Sequence, residues 1–255
     1  MNFIVSASTD VGLTKDTNQD SYSVQVFTTC IGKVVLAVLC DGMGGLSKGE
    51  VASASVINAF RKWSEERLPL LCEQGLLEGD IQRDWMNIAN VFNKKIKAYG
   101  DSYGISVGTT LTAMLLTQNR YFIINVGDTR AYEIIQNVSQ LTKDQTLVAK
   151  QVELGLMDSQ QAEMDPRRSV LLQCIGVLDE VLPDLYSGEV KENAVYMLCS
   201  DGFRHEISDS EMYQCLNPGV MRDADGMKQN MDYLINVNKQ RQEKDNISVI
   251  TIRTF

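Results

Sequence analysis

Runs of apolar residues broken by short polar spacers dominate the chain, and they predict its strands. Stretches rich in β-branched and aromatic residues lie at Ser21–Thr28, Val34–Leu39, Thr109–Leu116, Arg120–Val126, Arg130–Ile135, Val195–Cys199 and Ile247–Ile252. Spacers as short as the one between Leu116 and Arg120 suit hairpins, whereas parallel pairs need long crossovers, so the sheets are expected to be mainly antiparallel. A different period marks helices. Trp85, Ile88, Ala89, Phe92 and Ile96 recur at helical spacing within Arg83–Tyr99, with Gly100 as the expected stop. Weaker helical patterns cover Glu50–Leu68 and Gly226–Gln240. Ser208 with Glu211 forms a capping-box signature ahead of Met212, Cys215 and Leu216. Strands and helices in blocks predict an α+β architecture of packed antiparallel sheets covered by helices. No Pro/Gly/Ser-rich linker or internal repeat divides the chain, which predicts one domain over residues 1–255.

Composition narrows the function classes. Hydrophobic residues make up 44% and charged residues 22% of the 255, as in ordinary globular proteins. The formal net charge of −9 opposes binding to nucleic-acid phosphates, which is driven largely by Lys and Arg. The apolar runs are too short to span a bilayer, and the N-terminus lacks a basic region followed by an apolar one, so no membrane partner is expected and the cytoplasm is the expected location. Among the six cysteines no C-x-x-C pair occurs, and Cys40 and Cys199 sit inside strand-like runs, which predicts reduced and mostly buried thiols.

The candidate chemistry lies where strands end. Val34–Cys40 stops on Asp41-Gly42, Tyr121–Gly127 on Asp128, and Val195–Ser200 on Asp201-Gly202, while Asp20 and Asp245 stand just before strand-like runs. A single Asp-Gly reads as a turn. Convergent carboxylates at strand ends repel one another and are best stabilised by a hard divalent cation. With a single histidine, His205, a nitrogen and sulfur zinc site is disfavoured, and oxygen ligands point to Mg2+ or Mn2+. Other phosphate chemistries do not fit. Ser47 takes the place of the third glycine in G-x-G-x-x-G, no G-K-[ST] follows, and Cys199 to Arg204 is one residue short of C-x-x-x-x-x-R.

Thr9-Asp10-Val11-Gly12 with Asn18-Gln19-Asp20, and Asp41-Gly42-Met43-Gly44-Gly45 with Gly49-Glu50, resemble the first motifs of the type 2C metal-dependent serine/threonine protein phosphatases, the PPM family. Gly108-Thr109-Thr110, Asn125 to Arg130, Leu141 to Asp144, Ser200-Asp201-Gly202 and Asp245-Asn246 resemble its later motifs in order, and Asp-Gly-Met-Gly-Gly is the form of the bacterial branch. The resemblance implies a four-layer α-β-β-α sandwich and hydrolysis of phosphoserine and phosphothreonine by a water activated between two divalent metals, Mn2+ or Mg2+. Asp41 would bridge both ions, the Gly42 carbonyl would complete one coordination sphere, Asp201 and Asp245 would hold the second, and Asp20 would act through water. Asp128 with Asp201 matches a third, weaker metal position. Phosphoprotein substrates, a cognate serine/threonine kinase and a monomeric enzyme are further expectations.

Departures from the family pattern carry their own expectations. Lys15 stands at the usual arginine of the first motif, giving charge without a bidentate fork, and is expected to be catalytic and substrate-binding. Gln19 replaces the commoner glutamate. Leu46 and Met43 stand where relatives carry a histidine, which leaves the departing alkoxide no imidazole to protonate it. His205 is expected on an exposed loop. The segment 152–172, with Asp165-Pro166-Arg167-Arg168, corresponds to a flap beside the cleft, and Arg167 and Arg168 are candidate substrate-binding cations. A catalytically weak, phosphoprotein-binding regulator is the alternative that Lys15 and the missing histidine favour. A second rival, another two-metal hydrolase such as a nuclease, is disfavoured by the acidic charge.

Overall fold

The computed structural model describes residues 1–44 and 48–255; Gly45, Leu46 and Ser47 lie outside the described residues. In chain order, β1 (Phe3–Asp10), β2 (Ser21–Thr29), β3 (Gly32–Cys40) and the short β4 (Gly42–Gly44) lead into α1 (Gly49–Glu66), α2 (Leu68–Glu73) and α3 (Glu78–Tyr103). Next come β5 (Val107–Thr109), β6 (Leu111–Leu116), β7 (Arg120–Val126), β8 (Arg130–Ile134), β9 (Val138–Gln140), α4 (Leu147–Glu153) and α5 (Ser159–Met164). The remainder holds β10 (Asp184–Glu189), β11 (Val195–Cys199), α6 (Asp201–Arg204), α7 (Asp209–Leu216), α8 (Ala224–Gln240) and β12 (Ile247–Thr254).

Two five-stranded sheets run in the orders β1-β12-β11-β8-β9 and β10-β7-β6-β3-β2, and β4 pairs separately with β5. Their ladders are antiparallel. The unbroken apolar run of β3 follows from burial on both faces. Val34, Leu36, Val38 and Cys40 pack with Val56, Phe60, Trp63 and Trp85 of α1 and α3. Val35, Ala37 and Leu39 meet Tyr196, Leu198, Ile250 and Ile252 of the other sheet. On the far side of that sheet, Val195, Met197 and Cys199 pack under Met212, Met227, Met231 and Leu234 of α7 and α8. The layers are therefore helices, sheet, sheet, helices, as expected. Each fully buried aliphatic side chain here is worth roughly 1.5–3 kcal/mol of transfer free energy.

Some boundaries differ from the sequence expectation. Gly100 does not stop α3; it is buried inside the helix, where its missing Cβ admits the Ile105 carbonyl. The helix ends instead before Gly104, which adopts a left-handed φ of 63° and caps it. The helix predicted over Glu50–Leu68 ends at Glu66, and α2 restarts beyond it with Pro69 in its first turn. The run Thr109–Leu116 is interrupted at Thr110: Thr109 pairs with Gly42 in the ribbon, while Leu111 onward joins the large sheet. The unpredicted β1, β9 and β10 are edge strands, which do not need a continuous apolar run, and the unpredicted β4 lies in the two-stranded ribbon. The flap segment is not wholly loop, since it contains α5, opened by a capping box between Asp158 and Gln161. The cysteines are all free thiols, and Cys40, Cys72, Cys174 and Cys199 are buried.

Candidate metal centre

Strand register gathers the aspartates. Ser21 pairs with Cys40, so Asp20, just before β2, and Asp41, just after β3, stand side by side at one end of their sheet. In the facing sheet Cys199 pairs with Arg130 on one side and Val249 on the other, which brings the Asp128 turn, Asp201 and the approach to β12 at Asp245 to a common end. Thr110 locks the junction: its N–H donates to the Asp41 carbonyl at 2.8 Å, and its Oγ1 accepts from Asp41 N–H at 2.9 Å. Gly42 is required by close approach, because a Cβ there would collide with the Gly49 and Gln19 carbonyls. Gly12, at φ 79°, lets the loop carrying Lys15 lie against the Asp245 carbonyl, which a Cβ would strike.

The carboxylates interact strongly. Burial pushes the Asp41 carboxyl well above its ordinary range, and the charges of Asp20, Asp201, Asp245 and Asp128 push it further. Asp20 is raised to about 7, by burial first and then by Asp201 and Asp245, although the Ser248 and Ser200 hydroxyls draw it partly back. Neither Asp20 oxygen accepts a hydrogen bond of ordinary geometry, and Asp201 Oδ1 is likewise buried without a partner. Buried carboxylate oxygens without donors are costly.

Lys15 reaches this cluster. Its Nζ lies 3.0 Å from Asp245 Oδ1, and although burial lowers its pKa, the hydrogen bond to Asp245 and the charges of Asp245, Asp41 and Asp201 raise it overall. Asp128 stands in a different setting. Burial and Asp201 raise it to about 7, but the Arg204 guanidinium is 3.6 Å from its Oδ2 and also 3.6 Å from Asp144 Oδ2. Arg130 holds Asp144 in a fork with bonds of 2.8 and 2.7 Å, which outweighs burial and brings the Asp144 carboxyl below its ordinary value. Asp128 thus belongs with Asp144, Arg130 and Arg204 to a network of two carboxylates and two guanidiniums, and it also feels the charge of Asp201.

One expectation does not survive. His205 is not exposed: its side chain is 10% accessible, between Asp201 and Glu243. The reason is local, since α6 is one turn and residue 205 folds back over residue 201. Arg167 forks its own Asp165 and Arg168 donates to the Glu163 carbonyl and lies 3.9 Å from Glu206, so the cations of the flap engage groups other than the cluster. Leu46 lies outside the described residues. Sequence reading missed Arg204, Asp144, His205 and Glu243 as neighbours of the site; the i, i+3 and i, i+4 offsets from Asp201 were the signal for Arg204 and His205.

The donor set is made for a hard cation. Among the described residues no three His, Cys, Asp or Glu side chains close into a finished ligand cage. Ions such as Mg2+ retain waters between themselves and carboxylates, so they do not need every ligand to close directly on the ion. The three orphaned oxygens of Asp20 and Asp201, beside Asp41, are the feature that fits such ions.

The family model described as protein phosphatase 2C matches residues 14–247. The chain is 29% identical over 225 residues to a serine/threonine phosphatase stp of Listeria innocua, covering 86% of this chain and 84% of the relative. The serine/threonine phosphatase of S. agalactiae superposes with a TM-score of 0.85 at 26% identity, over 100% of both chains. The catalytic domain of the phosphatase PstP, solved in complex with 2 manganese ions, superposes with a TM-score of 0.78 at 27% identity, over 99% of each.

Proposed function

Since the chain belongs to the protein phosphatase 2C family, we propose that it removes phosphate from phosphoserine and phosphothreonine of other proteins, with Asp20, Asp41, Gly42, Asp201 and Asp245 seating two divalent cations. It is a phosphoprotein phosphatase, a hydrolase, and a dinuclear metal site is the family's arrangement. The observation that carries the finer reading is the set of partnerless, buried oxygens on Asp20 and Asp201 beside Asp41. When bound, Mn2+ or Mg2+ would acidify a water and offset charge on the phosphoryl oxygens.

The chain's own residues then divide the work. Asp41, whose carboxyl is pushed up by burial and then by the charges of Asp20, Asp201, Asp245 and Asp128, would be the carboxylate that serves both cations. Gly42 leaves its backbone free of a Cβ at the point of closest approach. Lys15 brings positive charge to the cluster's edge, where a phosphate dianion would enter. Asp128, if it takes a third and weaker ion with Asp201, must do so in competition with Arg204. The whole chain acts as one catalytic unit, because the ligand set runs from Asp20 to Asp245.

A serine/threonine kinase in the same compartment would supply the substrates. No helix among the described residues is long and apolar enough to cross a membrane. The complete aspartate set disfavours a purely phosphoprotein-binding regulator. The deciding experiment measures phosphate release from a phosphothreonine peptide in chelator and after adding Mn2+. Release only with the metal is expected; full release in excess chelator sinks the two-cation reading.

A further inference from the structure

Asp201 uses its two carboxylate oxygens differently. Oδ2 lies 3.5 Å from His205 Nε2, while Oδ1 is buried with no partner. The other ring nitrogen, Nδ1, lies 3.3 Å from Glu243 Oε2. The second Glu243 oxygen, Oε1, accepts the backbone N–H groups of Lys244 at 2.6 Å and Asp245 at 2.9 Å. A continuous line therefore runs from the Asp201 carboxylate through His205 and Glu243 to the backbone of Asp245.

The line is buried and anchored at both ends. The side chains of Asp201, His205 and Glu243 are 9%, 10% and 6% exposed. His205 N–H closes the α6 turn on the Asp201 carbonyl at 3.1 Å. Glu243 N–H bonds the Asn238 carbonyl at the end of α8, and Asn238 Nδ2 donates to the Phe203 carbonyl of α6. The ring thus lies between two carboxylates that would otherwise face each other across a buried gap, and it approaches one oxygen of Asp201 while the other has no partner.

We infer that His205 is a positioning residue that couples Asp201 to the Asp245 loop, so that both carboxylates are presented to a divalent cation in fixed relation. The inference rests on the metal reading above. Groups that orient a ligating side chain through its second oxygen typically affect metal affinity about 10–100-fold.

Mn2+ titration of the purified full chain without substrate, followed by calorimetry or by the resonance of free Mn2+, tests it. His205→Ala and Glu243→Gln are each expected to weaken Mn2+ binding by about 10–100-fold. The double variant is expected to be no weaker than the worse single one, because both act along one line. His205→Gln, whose amide still reaches Asp201, should recover part of the loss. Thermal midpoints in chelator report folding, and if His205→Ala does not fold, the Gln variants at 205 and 243 carry the test. Folded variants that bind Mn2+ as the wild type does overturn the inference alone. A wild-type chain that binds no Mn2+ overturns the metal reading and the inference with it.

Discussion

Lys15 Nζ sits 3.0 Å from Asp245 Oδ1, so the cation expected to draw phosphate is engaged by a carboxylate expected to hold metal. The two roles compete for one ammonium. Lys15→Ala should raise KM for phosphopeptides by about tenfold, the worth of one charged hydrogen bond of about 1.5 kcal/mol, with little change in kcat. Mn2+ affinity should rise in the same variant, since Asp245 loses its internal counter-ion. Lys15→Arg should keep or lower KM, because a guanidinium grips two phosphate oxygens. Steady-state kinetics with a parallel Mn2+ titration decide; unchanged KM in Lys15→Ala would make the residue a bystander.

Asp41→Asn removes a carboxyl that burial, and then the charges of Asp20, Asp201, Asp245 and Asp128, push well above its ordinary range. Turnover should fall by about 10³-fold or more if, as proposed, Asp41 is the oxygen ligand that both cations share. In chelator, the same variant should melt higher than the wild type, since folding no longer has to protonate a buried carboxyl whose pKa is raised. A wild-type rate in a folded Asp41→Asn chain would reduce Asp41 to a turn residue.

The raised carboxyls give a signed pH prediction for the metal-free chain. Asp20 and Asp128 move from 3.8 to about 7 on folding, so the folded state holds their protons more tightly than the unfolded one. Their contribution to stability is complete below about pH 4 and is lost as pH rises through about 7. Thermal midpoints in chelator should therefore fall between pH 5 and 8, and saturating Mn2+ should flatten that slope, since the bound cation favours the ionised carboxylates. A midpoint that climbs steadily over this range in chelator contradicts the burial of these groups.

Arg130 and Asp144 form the opposite case, a partly buried pair whose attraction keeps Asp144 ionised. Arg130→Ala should destabilise the fold by about 3 kcal/mol at pH 7, because it strands a buried carboxylate. Urea unfolding measures this directly, and a loss below about 0.5 kcal/mol would mean that Arg204 alone neutralises Asp144.

The strands buried on both faces were legible from the chain alone, since a segment such as Val34–Cys40 must be apolar throughout to lie between a helix layer and a second sheet. The aspartates that end those strands were legible for the same reason: a charge cannot continue a doubly buried strand, so its position marks the sheet's end. Edge strands β1 and β10 were not, because one open side removes the need for a continuous apolar run. Nor was the end of α3, where Gly100 is demanded by the approach of Ile105 from outside the helix and only Gly104 acts as a terminator.

Residue types and their places at strand ends thus determined which groups can hold a hard cation, because donor chemistry is a property of the side chain itself. Which of those groups share a field was decided by the register of two facing sheets, which brings Asp20 and Asp245 together across most of the chain. The same packing turned a histidine expected in solvent into a buried link between Asp201 and Glu243. It also set Lys15 on Asp245 rather than in open water. Such pairings depend on distances between residues remote in sequence, and local patterning carries no information about those distances until the sheets have closed.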